Sequence, residues 1–136
     1  MKLKTPSLIF LLSLTYIFTL SAKDMEVVDV EGAAAAEKLD EQSIVVLDVR
    51  TPQEVAMGRI PGSININIAD PDFAKQVAKL DPSKTYMVHC AAGSPGGRSR
   101  RSLEALQELG VEKVYHLEGG FNGWKQSGNE VEVPKP

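Results

Sequence analysis

Four consecutive residues, Ile44-Val45-Val46-Leu47, offer no polar side chain on either alternating face. Neighbouring side chains of a strand point to opposite sides, so such a run needs cover both above and below. That is the requirement of a strand inside a parallel sheet with helices on both faces. The rest of the chain supplies what this strand needs. Glu26-Val27-Val28-Asp29-Val30 reads as a first strand, and Gly32 opens an alanine-rich helix, Ala33 to Leu39. Thr51-Pro52-Gln53-Glu54 carries a helix start, with Thr as N-cap, Pro in the first turn and Glu closing a capping box.

Ser63 to Ile68 alternates polar and apolar with period two, which predicts a strand. Phe73, Val77 and Leu80 have helical spacing, and Thr85-Tyr86-Met87-Val88-His89 is a further strand leading into Cys90. A helix is predicted from about Arg98 to Leu109, with Leu103, Leu106 and Leu109 on one side and Gly110 as its stop. Val114 to Leu117 is a last strand, Phe121 to Lys125 a short terminal helix, and the tail Asn129 to Pro136 is expected to fray. Strands alternating with helices give the fold class: α/β, with a central, mostly parallel sheet flanked by helices on both faces.

The first 22 residues do not belong to this pattern. Lys2 and Lys4 precede an uncharged apolar run to Leu20, followed by the small residues Ser21 and Ala22. That order is the layout of a secretory signal peptide, cleaved after Ser21 or Ala22. A retained membrane anchor is the alternative, and the run is shorter than the roughly 20 apolar residues of a comfortable span. The expectation is an exported protein, periplasmic or secreted, whose residues 23–136 form one domain. Removing residues 1–22 takes away two lysines and no acid, so the formal net charge moves from −3 to −5. A chain this acidic has no overall attraction for nucleic acid or for anionic lipid.

One cysteine cannot make an internal disulfide, and a lone thiol in an exported protein is either inert core or a reactive group. Cys90 stands at the carboxyl end of a buried strand, where open α/β sheets bind ligands. The segment Ala91-Ala92-Gly93-Ser94-Pro95-Gly96-Gly97 follows it, then the helix opening at Arg98-Ser99. Glycines at three of these positions free backbone N–H groups to turn inward as an anion nest. The helix N-terminus adds unpaired N–H groups and a positive dipole end. Such surroundings favour thiolate, the nucleophile, and also a negatively charged substrate. The site is expected to face solvent.

These motifs resemble the rhodanese family of single-domain sulfurtransferases over about Glu26 to Ser127. The resemblance rests on Leu47-Asp48-Val49-Arg50-Thr51-Pro52-Gln53-Glu54, on Gly58-Arg59-Ile60-Pro61-Gly62-Ser63-Ile64-Asn65-Ile66, and on Val88-His89-Cys90 with Gly97-Arg98-Ser99. Leu117-Glu118-Gly119-Gly120-Phe121-Asn122-Gly123-Trp124 completes it. It implies a compact α/β/α fold and a cysteine that takes a sulfane sulfur from a donor such as thiosulfate. The persulfide then passes sulfur to cyanide or a thiol, and a thioredoxin-like protein is an acceptor of the right chemistry. It also implies that Ala91 to Ser99 bind the anionic donor, Arg98 above all. Asp48, Arg50 and Glu54 are assigned to structural support of the loop. Two departures stand out. Cys90 to Arg98 is eight steps, three more than the family's usual loop, and Arg59 stands where histidine is common.

His89 alternates away from the face of Cys90 and is not read as a general base. His116 is expected to be half-buried scaffold, Arg100 and Arg101 a solvated helix face, and Trp124 a core residue with its N–H satisfied. With two histidines there is no ligand-spaced metal cluster, and no cofactor is expected. Two other classes share parts of this pattern. A cysteine-dependent phosphatase or arsenate reductase closes a ring of about five residues between cysteine and arginine; here there are seven, and no general-acid Asp is evident. A non-catalytic binding or sensing module could retain the fold, although Cys90 and Gly97-Arg98-Ser99 are all present.

Overall fold

The computed structural model describes residues 23–136, so the predicted signal segment lies outside the described residues. Five strands and five helices alternate along this part of the chain. The strands are β1 (Glu26–Val30), β2 (Ile44–Asp48), β3 (Ile64–Asn65), β4 (Thr85–His89) and β5 (Lys113–Leu117). The helices are α1 (Gly32–Glu41), α2 (Pro52–Ala56), α3 (Phe73–Val77), α4 (Arg98–Leu109) and α5 (Gly120–Gln126). All pairings are parallel, in the order β1-β5-β4-β2-β3. The chain runs outward from β2 to β3 but crosses from β4 to β5 on the other side. The topological switch point therefore lies between β2 and β4, at whose carboxyl ends Asp48 and Cys90 stand.

Alternation along the strands divides the core in two. Val46, Met87, Tyr115 and Leu117 pack with Ala35 of α1 and with Phe121 and Trp124 of α5. Leu47, Tyr86, Val88, Cys90 and Val114 pack on the opposite face with Val77 of α3 and Leu106 of α4. Burying each of the Val, Leu, Met and Phe side chains among these contributes roughly 1.5–3 kcal/mol relative to exposure, so both layers are needed to hold the sheet. Helix α4 ends as its sequence predicts, with Gly110 left-handed at φ 93° and Val111 N donating back to Leu106 O.

Two expectations are corrected. The alternating segment from Ser63 forms only a two-residue strand, because β2 ends at Asp48 and offers it no longer ladder. The chain beyond still follows β2's end, with Ile66 N donating to Asp48 O and Ile68 N to Val49 O. The tail is docked rather than frayed. Glu132 exchanges both backbone hydrogen bonds with Arg59, and their side chains pair at 3.0 Å. Trp124 Nε1 donates to Glu130 O at 2.7 Å, satisfying the indole, and Asn129 Nδ2 donates to Gly32 O. Arg59 thus serves as an anchor for the tail.

Candidate active site

Cys90 is only 4% exposed, contrary to the solvent-facing position expected of it. The loop after it folds back over the sulfur, and α5 closes the other side. Phe121 N donates to Cys90 O at 2.8 Å and Asn122 N to Ala91 O at 3.0 Å. Such an approach requires glycine at position 120. Its φ is +56°, and a Cβ there would lie 2.5 Å from Cys90 O. Gly93 is confined in the same way: at φ +58°, a Cβ would meet Leu117 O at 2.5 Å. Gly120 and the loop glycine therefore let the loop after Cys90 and the turn after β5 pack backbone against backbone.

Gly93 N donates to Cys90 Sγ at 3.4 Å, and Ser99 Oγ lies 3.3 Å from the sulfur. Burial pushes the thiol up, but donors outweigh it. The Ser99 hydroxyl and the amides of Ser99, Gly93 and Ala92 hold Cys90 below the ordinary thiol range. Donors to sulfur thus come from both ends of the loop. Between them Ser94, Pro95 and Gly96 are exposed, and Gly97 N turns to Ser94 O at 2.9 Å. The middle of the loop bulges into solvent while Ala92, Gly93 and Ser99 stay at the sulfur.

Arg98 opens α4, and its guanidinium makes a two-pronged contact with Glu54, Nη1 to Oε2 at 2.7 Å and Nη2 to Oε1 at 2.8 Å. Glu54 also accepts from Thr51 N and Oγ1 in the predicted capping box. The Arg98 contact, joined by Thr51 against the cost of burial, brings the Glu54 carboxyl down to about 2. One carboxylate therefore ties the start of α2 to the start of α4, the supporting part assigned to Glu54. Asp48 and Arg50 form a second support. Arg50 Nη2 donates to Asp48 Oδ2 at 2.7 Å and to Gly58 O at 2.8 Å, with both side chains buried. Phe121 lies 4.1 Å from the guanidinium carbon. Asn65, not singled out from the sequence, donates to the carbonyls of both Asp48 and Arg50.

The two histidines lie on opposite faces. His89 points away from the sulfur, as alternation requires, and stacks on Phe121 with centroids 6.2 Å apart. His116 lies deeper than the half-buried position expected of it. It is fully buried on the face of Cys90, with Nε2 2.8 Å from Ser99 Oγ and Nδ1 3.0 Å from Asp29 Oδ1. Arg100, expected on a solvated face, pairs with Asp29. The sequence held one signal for this: His116 is two residues from Val114, so it shares a face with Val114. Its nearness to Cys90 needs the strand order as well.

The model of the rhodanese-like domain matches residues 31–127. The chain belongs to the rhodanese-like family. Among its relatives, a protein named thiosulfate sulfurtransferase GlpE, from Pseudoalteromonas translucida, is 30% identical over 72% of this chain and 89% of its own length. YtwF of Bacillus subtilis is 32% identical over 74% of this chain and 93% of its own. A crystal structure of a rhodanese-related protein from Thermoplasma volcanium is 33% identical with a TM-score of 0.68, covering 79% of this chain and 99% of that one. The matched region contains Asp48, Arg50, Glu54 and Arg98 together with Cys90.

Proposed function

We propose that this rhodanese-like protein is a thiosulfate sulfurtransferase that carries sulfur as a persulfide on Cys90. The observation that carries the reading is a single buried thiol held toward thiolate by backbone amides and a hydroxyl, within a family whose relatives bear sulfurtransferase names. The thiolate attacks the outer sulfur of thiosulfate. A bond forms from Cys90 Sγ to that sulfur, the sulfur–sulfur bond of the donor breaks, and its electron pair leaves with sulfite. A thiolate or cyanide acceptor then takes the outer sulfur, and Cys90 leaves as thiolate. A small protein thiol of the thioredoxin type fits as acceptor, since the loop bulge at Ser94 to Gly96 is exposed beside the sulfur.

Residues 91–99 receive the donor's anionic end in this reading. Arg98 gives two N–H groups to Glu54, and a guanidinium has others to offer. The same proposal places the protein outside the cytoplasm with residues 1–22 removed, which N-terminal sequencing of material from a periplasmic fraction checks directly. Its main test is intact mass of the purified protein before and after thiosulfate. The expected gain is about one sulfur atom, lost on adding cyanide or a thiol. Cys90→Ser should show no gain and no thiocyanate formation, since an alkoxide cannot carry sulfane sulfur. Residual transfer in that variant removes the mechanism, because the chain has no second cysteine.

A further inference from the structure

Behind Cys90 runs an unbroken line of hydrogen-bonding groups that crosses one face of the sheet to its edge strand, β1. Cys90 Sγ is 3.3 Å from Ser99 Oγ, Ser99 Oγ is 2.8 Å from His116 Nε2, and His116 Nδ1 is 3.0 Å from Asp29 Oδ1. Three different elements supply it: Ser99 from the first turn of α4, His116 from β5, Asp29 from β1. The strand register sets the last contact, since Asp29 and His116 are direct partners across β1 and β5. His116 is in turn the partner of Val88 on β4, two residues before Cys90. Ser99 and His116 are both fully buried.

Donor directions along the line follow from the chemistry of its ends. The Asp29 carboxylate only accepts, so Nδ1 of His116 carries a hydrogen and donates to it. In the neutral ring Nε2 is then an acceptor, and the Ser99 hydroxyl donates to it. In the thiol state, with its hydrogen committed to Nε2, Ser99 Oγ has lone pairs facing the cysteine and accepts from Cys90 S–H; in the thiolate state the same hydroxyl donates to the sulfur. Before the proton moves, every hydrogen bond points from sulfur toward imidazole.

We propose that His116 is the proton acceptor for Cys90, reached through the Ser99 hydroxyl, with Asp29 fixing its tautomer and holding the imidazolium that forms. The inference deepens the sulfur-transfer reading above and rests on it for its role in turnover. The thiol proton passes to Ser99 Oγ as the Ser99 hydroxyl proton passes to His116 Nε2. The products are a thiolate facing a hydroxyl and an imidazolium facing a carboxylate, with no atom gained or lost. After transfer to the acceptor, Cys90 leaves as thiolate and the proton returns along the same path. No solvent base has to enter a site whose cysteine is only 4% exposed. Ser99 touches the reacting sulfur; His116 and Asp29 act through it and are positioning residues.

The charged groups around His116 suit the part. Asp29 from β1 lies at Nδ1, Arg100 from α4 pairs with Asp29, and Glu118 follows β5. Burial lowers the histidine below its ordinary range and Arg100 adds to this, while Asp29 and Glu118 oppose them. The ring therefore rests neutral; burial and Arg100 oppose its gain of a proton, and Asp29 and Glu118 favour it.

The test reads thiolate formation apart from sulfur transfer. The pH dependence of Cys90 alkylation by iodoacetamide is measured on the intact protein and on His116→Gln, Asp29→Asn and Ser99→Ala. Gln keeps an amide near the position of Nε2 but offers no base. The expected result for His116→Gln is a midpoint about one pH unit higher, or about ten-fold slower alkylation at pH 7. The plateau rate at high pH, where thiolate no longer needs a base, should match the parent. Asp29→Asn should shift the midpoint in the same direction by less, about two- to three-fold in rate at pH 7. Asp29 is partly exposed, so this variant carries the test should His116→Gln fail to fold. A midpoint that moves in Ser99→Ala but in neither His116→Gln nor Asp29→Asn ends the line at Ser99 and overturns the proposal. A lower plateau with an unchanged midpoint also overturns it, since that is the mark of a structural role alone. A shifted midpoint in a protein that gains no sulfur from thiosulfate would uphold the relay while refuting the sulfur-transfer reading.

Discussion

His89 and His116 are both completely buried, both lie within reach of an aspartate, and they do opposite things. His89 sits on the α1/α5 face with Nδ1 at 3.1 Å from Cys90 O. Its Nε2 is 3.5 Å from Asp48 Oδ2 and makes no hydrogen bond. Arg50 has already taken both oxygens of Asp48. Burial presses His89 below its ordinary range against the opposing pull of Asp48, so it remains a neutral ring packed on Phe121. His116 has partners on both nitrogens, and one of them touches the sulfur. Each aspartate is also held by an arginine, but His116 shares Asp29 Oδ1 with Arg100 and still bonds it, whereas His89 makes no hydrogen bond to Asp48. The same residue type thus serves as filler in one place and as a proton acceptor in the other. What distinguishes the two regions is whether a continuous set of donors and acceptors leads to the thiol.

The sharpest way to break the comparison is at Asp48. Asp48→Asn strands the buried Arg50 guanidinium, and loss of one partner of a buried pair costs about 3–5 kcal/mol. Urea unfolding should show a loss of that size, with the Cys90 alkylation midpoint of the folded fraction close to the parent's. A midpoint shift as large as that of His116→Gln would mean that the two aspartates are not separated in function. A smaller effect is expected at His89. His89→Asn keeps a donor near Cys90 O but loses the ring against Phe121, at about 2 kcal/mol in urea. It should move the alkylation midpoint much less than His116→Gln does, and equal shifts would erase the distinction between the two faces.

The smallest effect belongs to the clamp between the two loops. Glu54 has a folded-state value of about 2 against 4.5 for the free group. A lowered carboxyl stabilises the fold above its unfolded value and loses that contribution as pH falls through the folded one. The window is therefore pH 4.5 down to about 2. Because the pair is about a third exposed, solvent screening reduces its contribution to about 1 kcal/mol. Glu54→Gln should lower urea stability by that amount at neutral pH and converge with the parent at pH 2. A constant difference across the whole window would show that the helix cap rather than the charge carries the effect.

Much of this was legible in the sequence because it is local. The Thr51–Glu54 capping box spans four residues and is chemically self-contained. Gly110 stops α4 because a left-handed backbone there suits glycine. The position of Cys90 between strand and helix follows from hydrophobic patterning alone, and so does the turning away of His89. Legibility failed where a segment's state depends on a distant partner. Ser63 to Ile68 has the period of a strand, but β2 ends too early to pair with most of it. The tail carries no strong pattern of its own, yet Arg59 and Trp124 hold it down. Asn65 reads as a polar residue in an alternating segment until the ends of β2 and β3 meet.

The sequence by itself thus determined the layers, the placement of the thiol and the caps around it, because periodicity and backbone preferences act over a few residues. Tertiary structure alone decided what stands behind the thiol. Asp29 and His116 are 87 residues apart, and nothing in either neighbourhood calls for the other. They meet because β5 inserts between β1 and β4 in one register, and a register slip of one residue would turn His116 to the opposite face. The long-range pairing of parallel strands, stabilised by two helical layers packed on the sheet, converts two ordinary polar residues into a path from the sulfur.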